Sequence, residues 1–165
     1  LGGHIALMYQ TLFPESTLGM VLAGSSGLYE SSMGSSFPRR GDRNYIAEKV
    51  RDVFEVKSVA TEELIDFVFE TVGDRMKALK TLSISKSAIR HNMTDELRDL
   101  IAPACIIWGR QDVITPPDVA KKFHDLLPNS ELHWIDNCGH AAMMEHPETF
   151  NDILLTWLNK LHKQD

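Results

Sequence analysis

Residues 104–140 read ACIIWGRQDVITPPDVAKKFHDLLPNSELHWIDNCGH, and the architecture follows from the order of their parts. The stretch opens on a continuous apolar run, residues 104–108, which suits a strand covered on both faces, as in a parallel sheet. Residues 117–127 follow a helical pattern that starts with Pro117 and stops at Pro128. Proline is accepted in a first helical turn and excluded from a helix interior. Residues 131–135 form a second strand. Strand, helix and strand in that order make a β–α–β unit with parallel strands. Each strand runs into a polar loop, Gly109-Arg110-Gln111-Asp112 after the first and Asp136-Asn137-Cys138-Gly139-His140 after the second.

The alternation continues on both sides of this unit. Downstream, residues 147–161 form a helix with Phe150, Ile153, Leu154, Trp157, Leu158 and Leu161 on one stripe. Upstream, residues 3–13 read as a helix, with Ile5, Ala6, Tyr9 and Leu12 at helical spacing and Pro14 as its stop. Residues 18–23 (LGMVLA) read as a strand buried on both faces and ended by Gly24. Residues 24–36 are loop, dense in glycine and serine. From 37 to 99 the texture is charged, amphipathic and helical, with no convincing strand. There Leu64, Phe67, Val68 and Thr71 follow the spacing of one helix face, and Asp74 is placed to cap a helix running towards Ile89.

The expected fold is therefore α/β: a mostly parallel sheet covered by helices on both faces, with an all-helical insertion. Core would span 1–36 and 100–165, and the insertion, 37–99, reads as a lid over the sheet's C-terminal edge. Strands apolar on both faces need neighbours, and an open apolar edge invites aggregation. Further strands N-terminal to Leu1 are expected for that reason.

A hydrophobic fraction of 43% with 24% charged residues excludes disordered and fibrous classes. A net charge of −6, with acids and bases interspersed, argues against nucleic acid or an anionic membrane as partner. Two cysteines, Cys105 and Cys138, are too few for a disulfide framework, and Cys105 reads as a small buried hydrophobe. No window approaches the roughly 18 apolar residues of a membrane helix. The expected location is the cytoplasm.

Two side chains carry the chemistry. Asp112 follows a strand's C-terminal end, where ligands bind in open α/β sheets. A carboxylate there can accept the Nδ1–H of a histidine, although turn aspartates are common. His140 follows the next strand, beside a glycine that permits a tight turn. Histidine titrates near neutrality, so it can take a proton and return it, although loop histidines are often incidental. Glu145 and His146 next to His140 suggest a metal, but zinc needs three or four ligands and no further set is visible. Pro147 marks a helix start, so capping and packing are the expected roles of Glu145 and His146. His4, His124, His133 and His162 read as structural or solvent-facing. No metal and no cofactor are expected.

At the other end of the chain stands Leu1-Gly2-Gly3. Together these motifs resemble the C-terminal half of an α/β-hydrolase-fold protein over nearly the whole sequence. Leu1-Gly2-Gly3 is similar to the end of the family's G-x-S-[LM]-G-G nucleophile elbow. Trp108-Gly109-Arg110-Gln111-Asp112 with Pro116 is similar to its acid loop, and Cys138-Gly139-His140 with Glu145-His146-Pro147-Glu148 and Phe150-Asn151 to its histidine segment. The chain order of elbow, acid and histidine is that of the superfamily. The resemblance implies Asp112 as triad acid, His140 as base, and the Leu1 backbone N–H as an oxyanion-hole donor. The nucleophile would lie just before Leu1: a serine in the branch that Leu-Gly-Gly resembles, an aspartate or cysteine in related folds.

The implied activity is hydrolysis of a small or medium ester. One alternative is carbon–carbon hydrolysis of a ring-cleavage diketone, which the Gly-His…Glu-His…Phe-Asn segment also resembles. Another is a non-catalytic small-ligand receptor of the same fold. The expected partners are a small-molecule substrate and the N-terminal segment of the same protein.

For substrate contact the candidates are Arg39, Arg90 and Phe37. Arg39, Arg40 and Arg43 flank Pro38 and Gly41, and the plainer reading of that cluster is a solvated turn. Phe37, Tyr45, Phe54, Phe67 and Phe69, with Met33 and Met76, suit an apolar acyl pocket or ordinary insertion core. Ser25 and Ser26 follow a strand without a complete elbow and are not nominated as nucleophile.

Overall fold

The computed structural model describes residues 1–29, 39 and 41–163. Its order is α1 (Gly2–Leu12), β1 (Met20–Ala23), α2 (Arg43–Asp52), α3 (Glu62–Gly73), α4 (Arg75–Arg90), β2 (Ala104–Gly109), α5 (Pro117–Leu126), β3 (Ser130–Ile135), α6 (Ala142–Glu145) and α7 (Pro147–Leu161). Single 3-10 turns interrupt the connections at Pro14–Ser16, Lys57–Val59 and Leu97–Asp99.

The three strands lie in the order β1-β2-β3, and both pairings are parallel. Ala23 is level with Ile107 and Gly109 with Ile135, so all three strands end at the same edge of the sheet. Strand alternation divides the core into two layers. Met20, Leu22, Ala104, Ile106 and Trp108 point to one side, where Leu7 of α1 and Val119, Ala120, Phe123 and Leu126 of α5 cover them. Val21, Ala23, Cys105, Ile107 and Ile135 point to the other, under Phe150, Ile153, Leu154, Trp157, Leu158 and Leu161 of α7. All six residues of β2 are buried, as a central parallel strand requires.

The stretch between β1 and β2 is helical and contains no strand among the described residues. Each of its helices carries a polar cap. Asp42 accepts from the N–H groups of Asn44 and Tyr45, Thr61 from Leu64, and Asp74 from Met76 and Lys77. A separate core joins Ile46, Ala47 and Val50 of α2 to Phe54, Ala60 and Ile65, with Ala141 of the sheet layer packed against it. Outside, the guanidinium of Arg43 bridges Glu62 and Asp66 at 2.7 and 2.6 Å and staples α2 to α3.

Several expectations need correction. The first strand is four residues rather than six, because Leu18 is 73% exposed and Gly19 fits under the Trp157 ring. In α1 the row Ile5, Tyr9 and Leu12 is exposed, and His4, Leu7 and Gln10 are buried. The cause lies at Gly3, seated on Leu22 and Ser25 so closely that a Cβ would fall 2.1 Å from Ser25 Oγ; this close seat turns the opposite row outward. In α3 the buried residue is Ile65, whereas Phe67 is 66% exposed. The short helix α6 has too few residues to show any period.

Candidate active site

The loops after β2 and β3 pass each other in contact. A Cβ on Gly109 would lie 2.1 Å from Gly139 O and 2.3 Å from Cys138 O, so this position has no room for a side chain. Four bonds zip the loops together. Arg110 N–H donates to Ile135 O at 3.0 Å, and Gln111 N–H to Cys138 O at 2.9 Å. The Gln111 amide oxygen accepts from Cys138 N–H at 3.0 Å, and Arg110 Nε meets Asp136 Oδ1 at 2.7 Å. The Arg110 guanidinium also lies over the Trp134 ring, 5.1 Å from its centroid.

Inside this junction Asp112 is buried, and every contact of its carboxylate is a donor. Oδ1 accepts from the N–H groups of Ile114 and Thr115 at 2.8 and 2.9 Å. Oδ2 accepts from the Thr115 hydroxyl at 2.8 Å and faces His140 Nδ1 at 2.9 Å. A buried carboxylate survives only with such compensation. Because it can only accept, Nδ1 of His140 must be the nitrogen that carries hydrogen. Nε2 is thereby the nitrogen free to accept a proton. Thr115 is itself held from behind, since Trp108 Nε1 donates to its carbonyl at 2.8 Å.

The His140 side chain is 28% exposed, so it is partly open to solvent. Its ring packs on Gly24, the residue that ends β1. A Cβ there would sit 2.8 Å from His140 Cε1, and the φ of +51° is one that glycine adopts without strain. Gly24 adjoins Ser25, on which Gly3 of α1 rests. The first turn of α1, the end of β1, His140 and Asp112 therefore occupy one edge of the sheet.

Burial pushes the Cys138 thiol, beside His140 in the loop, up to about 12, with the Glu145 and Asp112 charges adding to the effect. Cys105 is raised to about 12 by burial as well. Both are free and neutral.

The remaining candidates fall elsewhere. Phe37, Arg40 and Met33 lie outside the described residues. Arg39 is exposed, 6.0 Å above the Tyr45 ring, and Arg90 is exposed at the end of α4. Phe54 is buried in the core of the helical segment with Phe69 and Tyr45 against it, while Phe67 and Met76 face solvent. His4 is buried and pairs with His91 at 2.9 Å. Among the described residues no cluster of three or more His, Cys, Asp or Glu could hold a metal ion. His146 Nε2 donates to Asn137 O at 2.9 Å.

Residue reasoning missed Thr115, Gln111 and the anchoring use of Glu145. Thr115 had a signal, since three residues after an aspartate is the spacing of a side-chain-closed turn. The anchoring by Glu145 had none, because beside the nearby Gly139 its partners Glu55 and Val56 lie ninety and eighty-nine positions away.

Comparison with known proteins identifies the fold family. The family model of the alpha/beta hydrolase fold matches residues 70–147, which include Asp112 and His140. A 2-hydroxy-6-oxononadienedioate/2-hydroxy-6-oxononatrienedioate hydrolase of a Pseudomonas species is 32% identical over 96% of this chain and 60% of its own length. The structure of an alpha/beta hydrolase enzyme from the sediment metagenome of the Mar Chica lagoon, Morocco, superposes with a TM-score of 0.72. It is 46% identical, covering 97% of this chain and 58% of that one. A serine hydrolase involved in carbazole degradation superposes at 0.76 with 25% identity, over 96% and 60%. The chain belongs to the α/β-hydrolase-fold superfamily. It spans 60% of the length of the curated relatives it matches. No helix among the described residues is long and apolar enough to cross a membrane.

Proposed function

We propose that this chain supplies the acid and the base of a serine hydrolase, with Asp112 and His140 completing a triad whose serine stands before Leu1. The observation that carries the reading is the 2.9 Å contact of His140 Nδ1 with the buried Asp112 Oδ2, at the edge where all three strands end. The serine attacks a carbonyl while Nε2 of His140 takes its proton, and the same nitrogen then protonates the leaving group. Asp112 holds the tautomer and stabilises the imidazolium. The Leu1 N–H donates to the oxyanion, a contribution of about 10²–10³ in rate for one such donor. The helical segment between β1 and β2 acts as a lid. The N-terminal segment of the protein covers the exposed row of α1 and pairs with the open side of β1. A cytoplasmic location suits two free buried thiols.

For the substrate, carbon–carbon hydrolysis of a ring-cleavage product is supported by the relatives at 32% identity. The ester reading keeps a specific support. Ring-cleavage diketones carry a carboxylate, yet among the described candidates Arg39 and Arg90 are solvent-facing and Arg43 is committed to Glu62 and Asp66. The test is full-length protein assayed with p-nitrophenyl esters and with a 2-hydroxy-6-oxo-dienoate. Turnover of either that disappears in His140→Ala supports the hydrolase, and the ratio of kcat/KM values selects the substrate class. Binding without His140-dependent turnover of either would make the protein a receptor and overturn the proposal.

A further inference from the structure

The loop that carries His140 has a second attachment, away from Asp112. Glu145, buried at the end of α6, accepts Gly139 N–H on Oε1 at 2.8 Å. Its other oxygen accepts the N–H groups of Glu55 and Val56 at 2.7 and 2.9 Å. These two amides belong to the turn that leaves α2. The same turn receives a bond in return, since the backbone N–H of His140 itself donates to Val53 O at 2.8 Å. Ala141 packs into the core of the helical segment at this point, and Lys57 Nζ donates to the carbonyls of Arg51 and Phe54 and closes the turn from outside. One carboxylate thus joins three main-chain donors from segments about ninety residues apart, in a buried place where charge-assisted bonds are strong.

We infer that Glu145 is a positioning residue: it latches the base of the proposed lid, at residues 53–56, to the loop that presents His140. The inference rests on the hydrolase reading for its kinetic consequence, but not for its structural one. With the latch closed, the inner end of α2 is a fixed wall beside the base rather than a moving flap. Access to the site then depends on motion elsewhere in the helical segment, and any loosening of the turn at 53–56 displaces the imidazole. A displacement on the order of 1 Å in such a group costs about 10²-fold in rate.

The experiment uses Glu145→Gln and Val56→Pro in the full-length protein, read by amide hydrogen exchange and by steady-state kinetics. The glutamine keeps the shape but turns an NH2 group on one set of donors whichever way it lies. The proline removes one donor from the lid side, at a residue whose φ of −78° proline can adopt. The decisive reporter is the His140 amide, which bonds to Val53 and not to Glu145. It is expected to exchange about tenfold faster or more in both variants, while the β2 amides of Ile106 and Ile107 stay protected. The kcat for a p-nitrophenyl ester is expected to fall about 10- to 10²-fold with KM little changed. If His140 keeps its protection in both variants, or kcat is unaltered, Glu145 is merely a local structural group and the latch is wrong. If the unmodified protein turns over nothing, the hydrolase reading fails while the exchange result still decides the latch.

Discussion

The loops after β2 and β3 and the helix α4 stand at opposite ends of a scale of order. In the loops nearly every polar group is engaged: Asp112 meets four donors, Gln111 bonds through both backbone and side chain, and Trp108 braces Thr115 from behind. In α4, sixteen residues long, only Ala78 is buried, and Met76, Leu79, Ile84 and Ile89 face outward. Both lie in a single chain, and under the function proposed above the difference would be one of task. Proton transfer requires groups held to fractions of an ångström, which fixed networks supply. An element that admits a substrate is drawn from the weakly held parts of a fold.

The contrast can be broken most sharply at Asp112. Asp112→Asn keeps the shape but places an amide against Nδ1, favouring the wrong tautomer, and kcat should fall by about 10⁴-fold in the full-length protein. Ester turnover measures it, and a loss below tenfold would mean that the loop network is not serving a base. Next comes the thiol test. With Cys105 and Cys138 raised from 9.0 to about 12, the thiolate fraction at pH 8 is lower by about 10³-fold than in the unfolded chain. An aromatic disulfide reagent should therefore leave both thiols intact in the native protein and titrate both in urea. The linkage runs against stability at alkaline pH: the unfolded chain sheds these protons first, so stability falls as pH rises from 9 towards 12. Fast native labelling of Cys138 would show the histidine loop to be looser than its bonds imply. The smallest effect is expected in α4, where Leu79→Ser and Ile84→Ser should each change the unfolding free energy by no more than about 0.5 kcal/mol. A larger loss in urea titrations would show that α4 is covered after all.

Much of this was legible because several signals coincided. For α7, Pro147 at the start and six apolar residues on one stripe give the observed helix residue for residue. For β2, the apolar run Ala104–Gly109 between Pro103 and Arg110 leaves little else to be. Asp74 announces α4 by its capping chemistry. Failure came where the deciding partner was distant. Leu18 looks like strand by its own nature, yet pairing begins only at Met20. The exposed row of α1 is apolar enough to read as core, but the close seat of Gly3 chooses the other row. For the site, Asp112 and His140 were visible from their places after strands. Of their supports only Thr115 had a local signal, three residues after Asp112; Gln111 and Glu145 bond to main-chain groups across loops distant in sequence.

The β–α–β unit from Ala104 to His140 has a kinetic consequence. Asp112 and His140 are 28 residues apart, and one compact crossover brings them together. Loop-closure entropy rises with the logarithm of length, so joining this pair costs about 1 kcal/mol less than joining either to α1, a hundred or more positions away. Short sequence separation favours rapid assembly. Asp112 and His140 should consequently meet early during folding, as a preassembled cassette on which the rest of the molecule later docks.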